Sequence, residues 1–218
     1  MANLEKLIIH WVPSTRGARI IWLAIELGLP YEVKQTVKSA PYLKEIHPYG
    51  KIPLAEVKYS DGRTVVLEES GHIISYLLRH FDTDKKLSGK TPEEFEEVDF
   101  HLHWSEGSLI AEILPLFINK AHKWADSELT TNVFSPHAEE AINYLETVLA
   151  KQAAQGNKYI VGDHLTAADI INHLPVAIYV GAKLGPAGPN VQKWLKQIES
   201  EKSFQESHKN EGTPPWAS

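Results

Sequence analysis

The hydrophobic period of this chain changes once, near residue 82, and that change limits the folds open to it. Before that point short apolar runs alternate with helical stretches, whereas beyond it only helical spacing is found. Leu4 to Trp11 reads as a strand, Ala18 to Leu27 as an amphipathic helix stopped by Gly28-Leu29-Pro30, and Tyr31 to Val37 as a second strand. Leu54 to Tyr59 and Thr64 to Glu68 flank Ser60-Asp61-Gly62-Arg63, a hairpin signal. Ser70 then opens a helix with the stripe Ile73, Ile74, Leu77 and Leu78, ending near Phe81. The order βαβ followed by ββα predicts a mixed sheet, its first unit parallel and right-handed, its hairpin antiparallel.

The polar stretch 83–92 reads as a linker, which divides the chain into residues 1–82 and an all-α domain over 93–218. In that domain the spacing predicts helices over Phe95 to His122 (long or broken), Pro136 to Gln155, Thr166 to Leu184 and Pro189 to Glu201. Gly212 to Ser218 reads as a loose tail.

Composition narrows the chemistry. With 218 residues, 43% of them hydrophobic, the chain can bury a substantial core, and no apolar run approaches the roughly 20 residues that span a bilayer. The N-terminus lacks the basic and apolar regions of a signal peptide, so a cytoplasmic protein is expected. There is no cysteine, so disulfides and protein-thiol chemistry are excluded and any sulfur chemistry must use a ligand's thiol. A net charge of −6, spread without long single-sign blocks, argues against a nucleic-acid partner. His101 and His103 are two apart on a helix and point to different sides, so no metal is expected.

Three segments of the first half carry the chemistry. Ser14-Thr15 lies where the first strand feeds the first helix, whose free N–H groups and positive end favour an anion; the plain reading of either hydroxyl is a helix cap. Pro53, in Lys51-Ile52-Pro53, cannot donate to a sheet ladder and therefore marks a strand start or edge. Glu69-Ser70 stands at a second strand-to-helix junction, where capping is again the plain reading.

A hydroxyl turn after the first strand, Pro48-Tyr49-Gly50-Lys51-Ile52-Pro53, Leu67-Glu68-Glu69-Ser70 at the last helix of the unit, then an all-α domain, together resemble a cytosolic glutathione transferase over nearly the whole chain. Tyr159 to Ile170 resembles the family's hallmark helix start, with Thr166 and Asp169 spaced as a capping box. The likeness is to fungal and bacterial members. It implies a thioredoxin-like N-terminal domain, an all-helical C-terminal domain and a homodimer. It further implies a glutathione co-substrate, its thiol activated as thiolate for hydrophobic electrophiles or for the reduction of organic hydroperoxides. On this resemblance Ser70 holds the γ-glutamyl carboxylate, Glu69 faces the γ-glutamyl ammonium, and Ile52, kept by a cis Pro53, pairs its backbone with the cysteinyl part. Lys51, with Lys38 as a neighbour, lies near the glycyl end. The sulfur falls to Ser14, Thr15 or the backbone amides alone. His103, Trp104, Gly107, Leu116 and Phe117 are the candidates for the electrophile pocket, expected between the domains. A scaffold of the same fold that binds glutathione or apolar ligands without catalysis, in a regulatory role, is the alternative.

The demand on the site is modest. Bringing a thiol from about 8.5 to about 6.5 takes roughly 2.7 kcal/mol. One charge-assisted hydrogen bond supplies about 1.5 to 3 kcal/mol and a helix N-terminus about 0.3 to 2.

Overall fold

The structure, a computed structural model, describes residues 3–216. They form two compact units that share the chain unevenly: the first extends to Asp84 and takes back Lys202–Thr213, and the second holds Lys85–Glu201 and resumes at Pro214.

In the first unit β1 (Leu4–Trp11), α1 (Gly17–Glu26), β2 (Tyr31–Gln35), α2 (Leu43–Ile46), β3 (Leu54–Tyr59), β4 (Thr64–Glu68) and α3 (Ser70–Phe81) follow in order. The sheet runs β2-β1-β3-β4, with β1 parallel to β2 and the β1–β3 and β3–β4 pairs antiparallel, which is the mixed sheet that the sequence predicts. Successive side chains of a strand turn to opposite faces, so Leu7, Ile9 and Trp11 share one face with Ala55 and Val57, and all five are buried. Gly17 lets α1 begin flush against that face: a Cβ there would lie 2.4 Å from Cδ1 of Trp11.

The other face is mixed, with Ile8 and Leu54 buried among polar residues. Lys6 pairs with Glu32 at 3.1 Å, and the buried His10 is bracketed by Glu56 at 2.9 Å and the Tyr42 hydroxyl at 3.1 Å. Tyr42 immediately precedes α2, so the bracket fastens the α2 segment to the sheet. At four residues α2 is too short to show a hydrophobic period, and its place is set by this polar tie and by the fully buried Leu43.

The second unit is helical, as predicted. α4 (Pro92–Trp104) and α5 (Ile110–Ala121) are joined by a π-helical turn over Ser105–Leu109, so the long predicted helix is one rod with a widened turn. A second such turn, Thr130–Phe134, leads into α6 (Ser135–Ala154). α7 (Ala167–Gly181) is buried from Ala167 to Tyr179, and α8 (Pro189–Glu199) turns Val191, Trp194, Leu195 and Ile198 inward. The α7 N-terminus carries the predicted capping box. Asp169 accepts the N–H groups of Ile160 and Thr166 and the indole N–H of Trp194, each at 2.9 Å, and burial still pushes its carboxyl up to about 6. The polar segment before α4 is packed into this unit: Leu87 is fully buried and its carbonyl accepts the Ala167 N–H at 2.9 Å.

The C-terminal stretch corrects one expectation. Trp216 is buried, its ring edge-on to Phe117 at 6.2 Å, and a Cβ on Gly181 would meet it at 2.8 Å, so apolar burial ties down the segment read as a loose tail. Ala217 and Ser218 of that segment lie outside the described residues. α9 (Lys202–His208) belongs to the first unit, where it packs on α1: Trp22 Nε1 donates to Ser203 Oγ at 3.0 Å and Phe204 meets the indole edge-on at 5.2 Å. Among the described residues no helix is long and apolar enough to cross a membrane.

Candidate functional site

Three junctions of the first unit hold the residues singled out from the sequence. At the β1–α1 turn the plain capping reading fails. The residue before α1 is Arg16, and α1 has no side-chain cap. The Thr15 hydroxyl donates to the Val12 carbonyl at 2.6 Å, which closes the turn on itself. Ser14 takes a left-handed backbone with φ 57°, and no partner for its hydroxyl is found among the described residues. The two hydroxyls that the sequence leaves equivalent therefore differ: one donor is committed locally, the other is available.

At the β4–α3 junction Glu69 stands at φ 66°, ψ 120°, a region that costs a residue with a side chain about 1–3 kcal/mol. Its carboxylate makes no capping bond and is exposed. Ser70, buried, accepts a hydrogen bond from Nη1 of the equally buried Arg19 at 3.1 Å. Arg19 is a residue of α1, so this bond ties the α3 N-terminus to the helix that begins at the Ser14 turn. Each helix presents free N–H groups and a positive end.

Between them lies the segment ahead of β3. The Ile52-Pro53 peptide bond is cis. Lys51 is exposed, its ammonium 5.7 Å from the Tyr49 ring centre, while its backbone N–H donates to Glu68 Oε1 at 3.2 Å. The same oxygen lies 3.1 Å from Nδ1 of His47, and Oε2 of this buried Glu68 has no hydrogen-bond partner. Lys38 is exposed, next to Ser39 at φ 60°.

The residues proposed for the electrophile are all on the α4–α5 rod of the second unit. His103 is exposed near Asp99, Gly107 sits exposed in the π-helical turn, and Trp104 stacks with Phe100 and meets Tyr144 edge-on at 5.3 Å. Leu116 lines an open groove of about 510 Å³ with Lys120, Lys123 and Trp124, and Phe117 contacts Trp216. Trp104 and Phe117 thus belong to two separate aromatic clusters.

A thioredoxin-like unit with two anion-ready helix starts, followed by an all-helical unit, defines the class of protein. The comparisons with known proteins agree. The chain matches the glutathione S-transferase N-terminal domain over residues 13–80 and the C-terminal domain over residues 113–202. It is 30% identical to glutathione S-transferase 1 of Saccharomyces cerevisiae, over 93% of this chain and 94% of that one. It is also 25% identical to a probable elongation factor 1-gamma of Arabidopsis thaliana, over 93% of this chain but 48% of that one. Among solved structures, a glutathione transferase homologue from Lodderomyces elongisporus, with two GSH per subunit, superposes with a TM-score of 0.80 at 20% identity, covering 94% of this chain and 99% of that one. The chain belongs to the glutathione S-transferase family.

Sequence reading missed Arg19, Glu68 and His47 as parts of these junctions. A buried arginine inside the apolar run Gly17-Ala18-Arg19-Ile20-Ile21 was the available signal for Arg19. Glu68 looked like any strand-end acid.

Proposed function

We propose that this chain binds glutathione in its first unit and activates the thiol for transfer to hydrophobic electrophiles or for reduction of organic hydroperoxides. The observation that carries this reading is the Arg19–Ser70 hydrogen bond of 3.1 Å. It fixes the α3 start, suited to a carboxylate, relative to α1, whose preceding turn offers a free serine hydroxyl to a sulfur anion. In this reading Ser70 and its N–H take the γ-glutamyl carboxylate and Glu69 the ammonium. The Ile52 backbone pairs with the cysteinyl part, and Lys51 and Lys38 attract the glycyl carboxylate. Ser14 donates to the thiolate, because the Thr15 hydroxyl is already spent on Val12. The reading extends to a cytosolic homodimer, as the family resemblance implies. No metal enters this reading.

The test is a pH titration of the thiolate absorbance of bound glutathione. The wild-type midpoint is expected at least about one unit below that of free glutathione, whose thiol resembles a free cysteine near 8.5. Ser14→Ala should return most of that shift while Thr15→Ala leaves it in place. Similarity to an elongation-factor subunit favours a second reading, a glutathione-binding scaffold without catalysis. Binding by calorimetry with an unshifted midpoint would establish the scaffold.

A further inference from the structure

The register of β3 ends at Leu54, which pairs with Glu68 on one side and His10 on the other, so Lys51-Ile52-Pro53 just ahead of it has no ladder partner. Pro53 has no N–H to offer, and no hydrogen bond of the Ile52 backbone is found among the described residues. A side chain holds the segment instead: the Lys51 N–H donates to Oε1 of Glu68 at 3.2 Å. Residues paired across strands share a face, so Glu68 lies on the side of the sheet where Tyr42 meets His10.

Glu68 is itself fixed at both ends. His72, in the first turn of α3, donates from Nδ1 to its backbone carbonyl at 3.1 Å. His47, directly after α2, places Nδ1 3.1 Å from the carboxylate Oε1, and the same ring nitrogen lies 3.3 Å from the backbone nitrogen of Tyr49. Carrying a proton, Nδ1 donates to Glu68; bare, it accepts from Tyr49. Gly50, between Tyr49 and Lys51, stands at φ 62°, and a Cβ there would lie 2.6 Å from Cγ of Lys44, so this loop is also packed closely on α2. Yet Glu68 is buried with Oε2 unpaired, which costs stability. A strand end that needed only packing would be served by an apolar residue, as it is one position earlier by the buried Leu67.

We propose that Glu68 is a positioning residue for the peptide part of glutathione: it grips Lys51 by the backbone N–H and thereby sets the neighbouring Ile52 backbone, whose own N–H and C=O stay open to the ligand. The proposal rests on the reading that places the cysteinyl part at Ile52. In this role Glu68 meets neither the sulfur nor the electrophile, and its effect passes through Lys51-Ile52. What the role requires is an acceptor for the Lys51 N–H. A carboxylate supplies the stronger one, an amide oxygen a weaker one in the same place, and an apolar side chain none.

Glu68→Ala and Glu68→Gln test it. In the ligand-free protein the Lys51 amide should exchange with deuterium about 10-fold faster in the alanine variant than in wild type, with the glutamine variant close to wild type. The calorimetric Kd for glutathione should rise about 10-fold in Glu68→Ala, the scale of one hydrogen bond to a charged group, and no more than about 3-fold in Glu68→Gln. Glu68→Met, of similar length and without an acceptor, leaves no cavity and carries the same expectation as alanine, which guards against a folding failure of the smaller side chain. With chlorodinitrobenzene as electrophile, KM for glutathione should rise in step with Kd while KM for chlorodinitrobenzene stays within about 2-fold. A merely structural loss would lower kcat through the fraction of active molecules and leave both KM values in place. An unchanged Kd in the alanine and methionine variants, an unchanged Lys51 exchange rate, or a glutamine variant as weak as these two would overturn the proposal while leaving the glutathione site intact. Failure of the wild-type protein to bind glutathione in calorimetry would instead remove the underlying reading, and this one with it.

Discussion

Two helices of this protein, α3 in the first unit and α7 in the second, begin with a hydroxyl and an acid, yet the two starts are built to opposite ends. At α7 the hydroxyl and the acid are both engaged: Thr166 and Asp169 close a capping box, and Asp169 also takes donors from Ile160 and Trp194. At α3 no side chain caps the helix, Glu69 is held in a costly backbone region, and the Ser70 hydroxyl is fixed by Arg19. A saturated helix start locks the fold. An unsaturated, strained one leaves its N–H groups open, and on the proposed function this contrast separates a folding determinant from a binding determinant with the same sequence signature.

The contrast is broken most forcefully at Asp169. Asp169→Ala strands two backbone N–H groups and an indole N–H where the residue is fully buried. A loss of about 4 kcal/mol in urea unfolding is expected, with glutathione affinity of the folded protein unchanged. A loss below about 1 kcal/mol would put the α7 start on the level of an ordinary surface cap.

Acid should then separate the units by sign. His101, in the second unit, is buried and accepts a hydrogen bond from Asn172, and burial lowers its pKa to about 4. Between that value and the unfolded 6.5 the unfolded chain binds a proton that the folded one refuses. The stability contributed is therefore present above pH 6.5 and is lost as pH falls towards 4, by up to about 3 kcal/mol. Glu211 in the first unit has a raised pKa, so its contribution is full below the unfolded carboxyl value and fades as pH rises through about 7. Comparing wild type with His101→Gln by denaturant unfolding at neutral and mildly acidic pH isolates the first effect. Identical pH slopes would show that His101 is not the acid-sensitive group.

How much of this was legible in the sequence follows from how local each signal is. Strand and helix bounds over Leu4–Trp11, Leu54–Tyr59, Thr64–Glu68 and Ser70–Phe81 agree with the structure to the residue, because periodicity and Asp-Gly or Ser punctuation act within a few residues. The Thr166–Asp169 box was legible for the same reason. α2, the π-helical turns and α9 were not. Their positions depend on Tyr42 meeting His10, on an extra residue within a helical rod, and on Trp22 meeting Ser203, none of which leaves a period. At the candidate site the residue types were legible but their division of labour was not. Only the fold shows that Thr15 is spent on Val12 and that Glu68, the residue before Glu69, receives the Lys51 N–H.

The smallest expected effect bears most directly on the α3 start. Glu69→Gly removes both the carboxylate and the backbone strain, whereas Glu69→Ala removes the carboxylate and keeps the strain, since a Cβ still faces φ 66°. The glycine variant should be more stable than the alanine variant by about 1 kcal/mol in urea unfolding, even after the entropy that glycine regains in the unfolded chain. Both should bind glutathione about 10-fold more weakly, because each has lost the acid proposed to face the ammonium. If alanine proves the more stable, the backbone at Glu69 is unstrained and α3 differs from α7 only in its partners. If stability follows the expectation but affinity does not fall, the strain serves to position Ser70 and its N–H rather than the Glu69 carboxylate, and the binding determinant shifts by one residue into the helix.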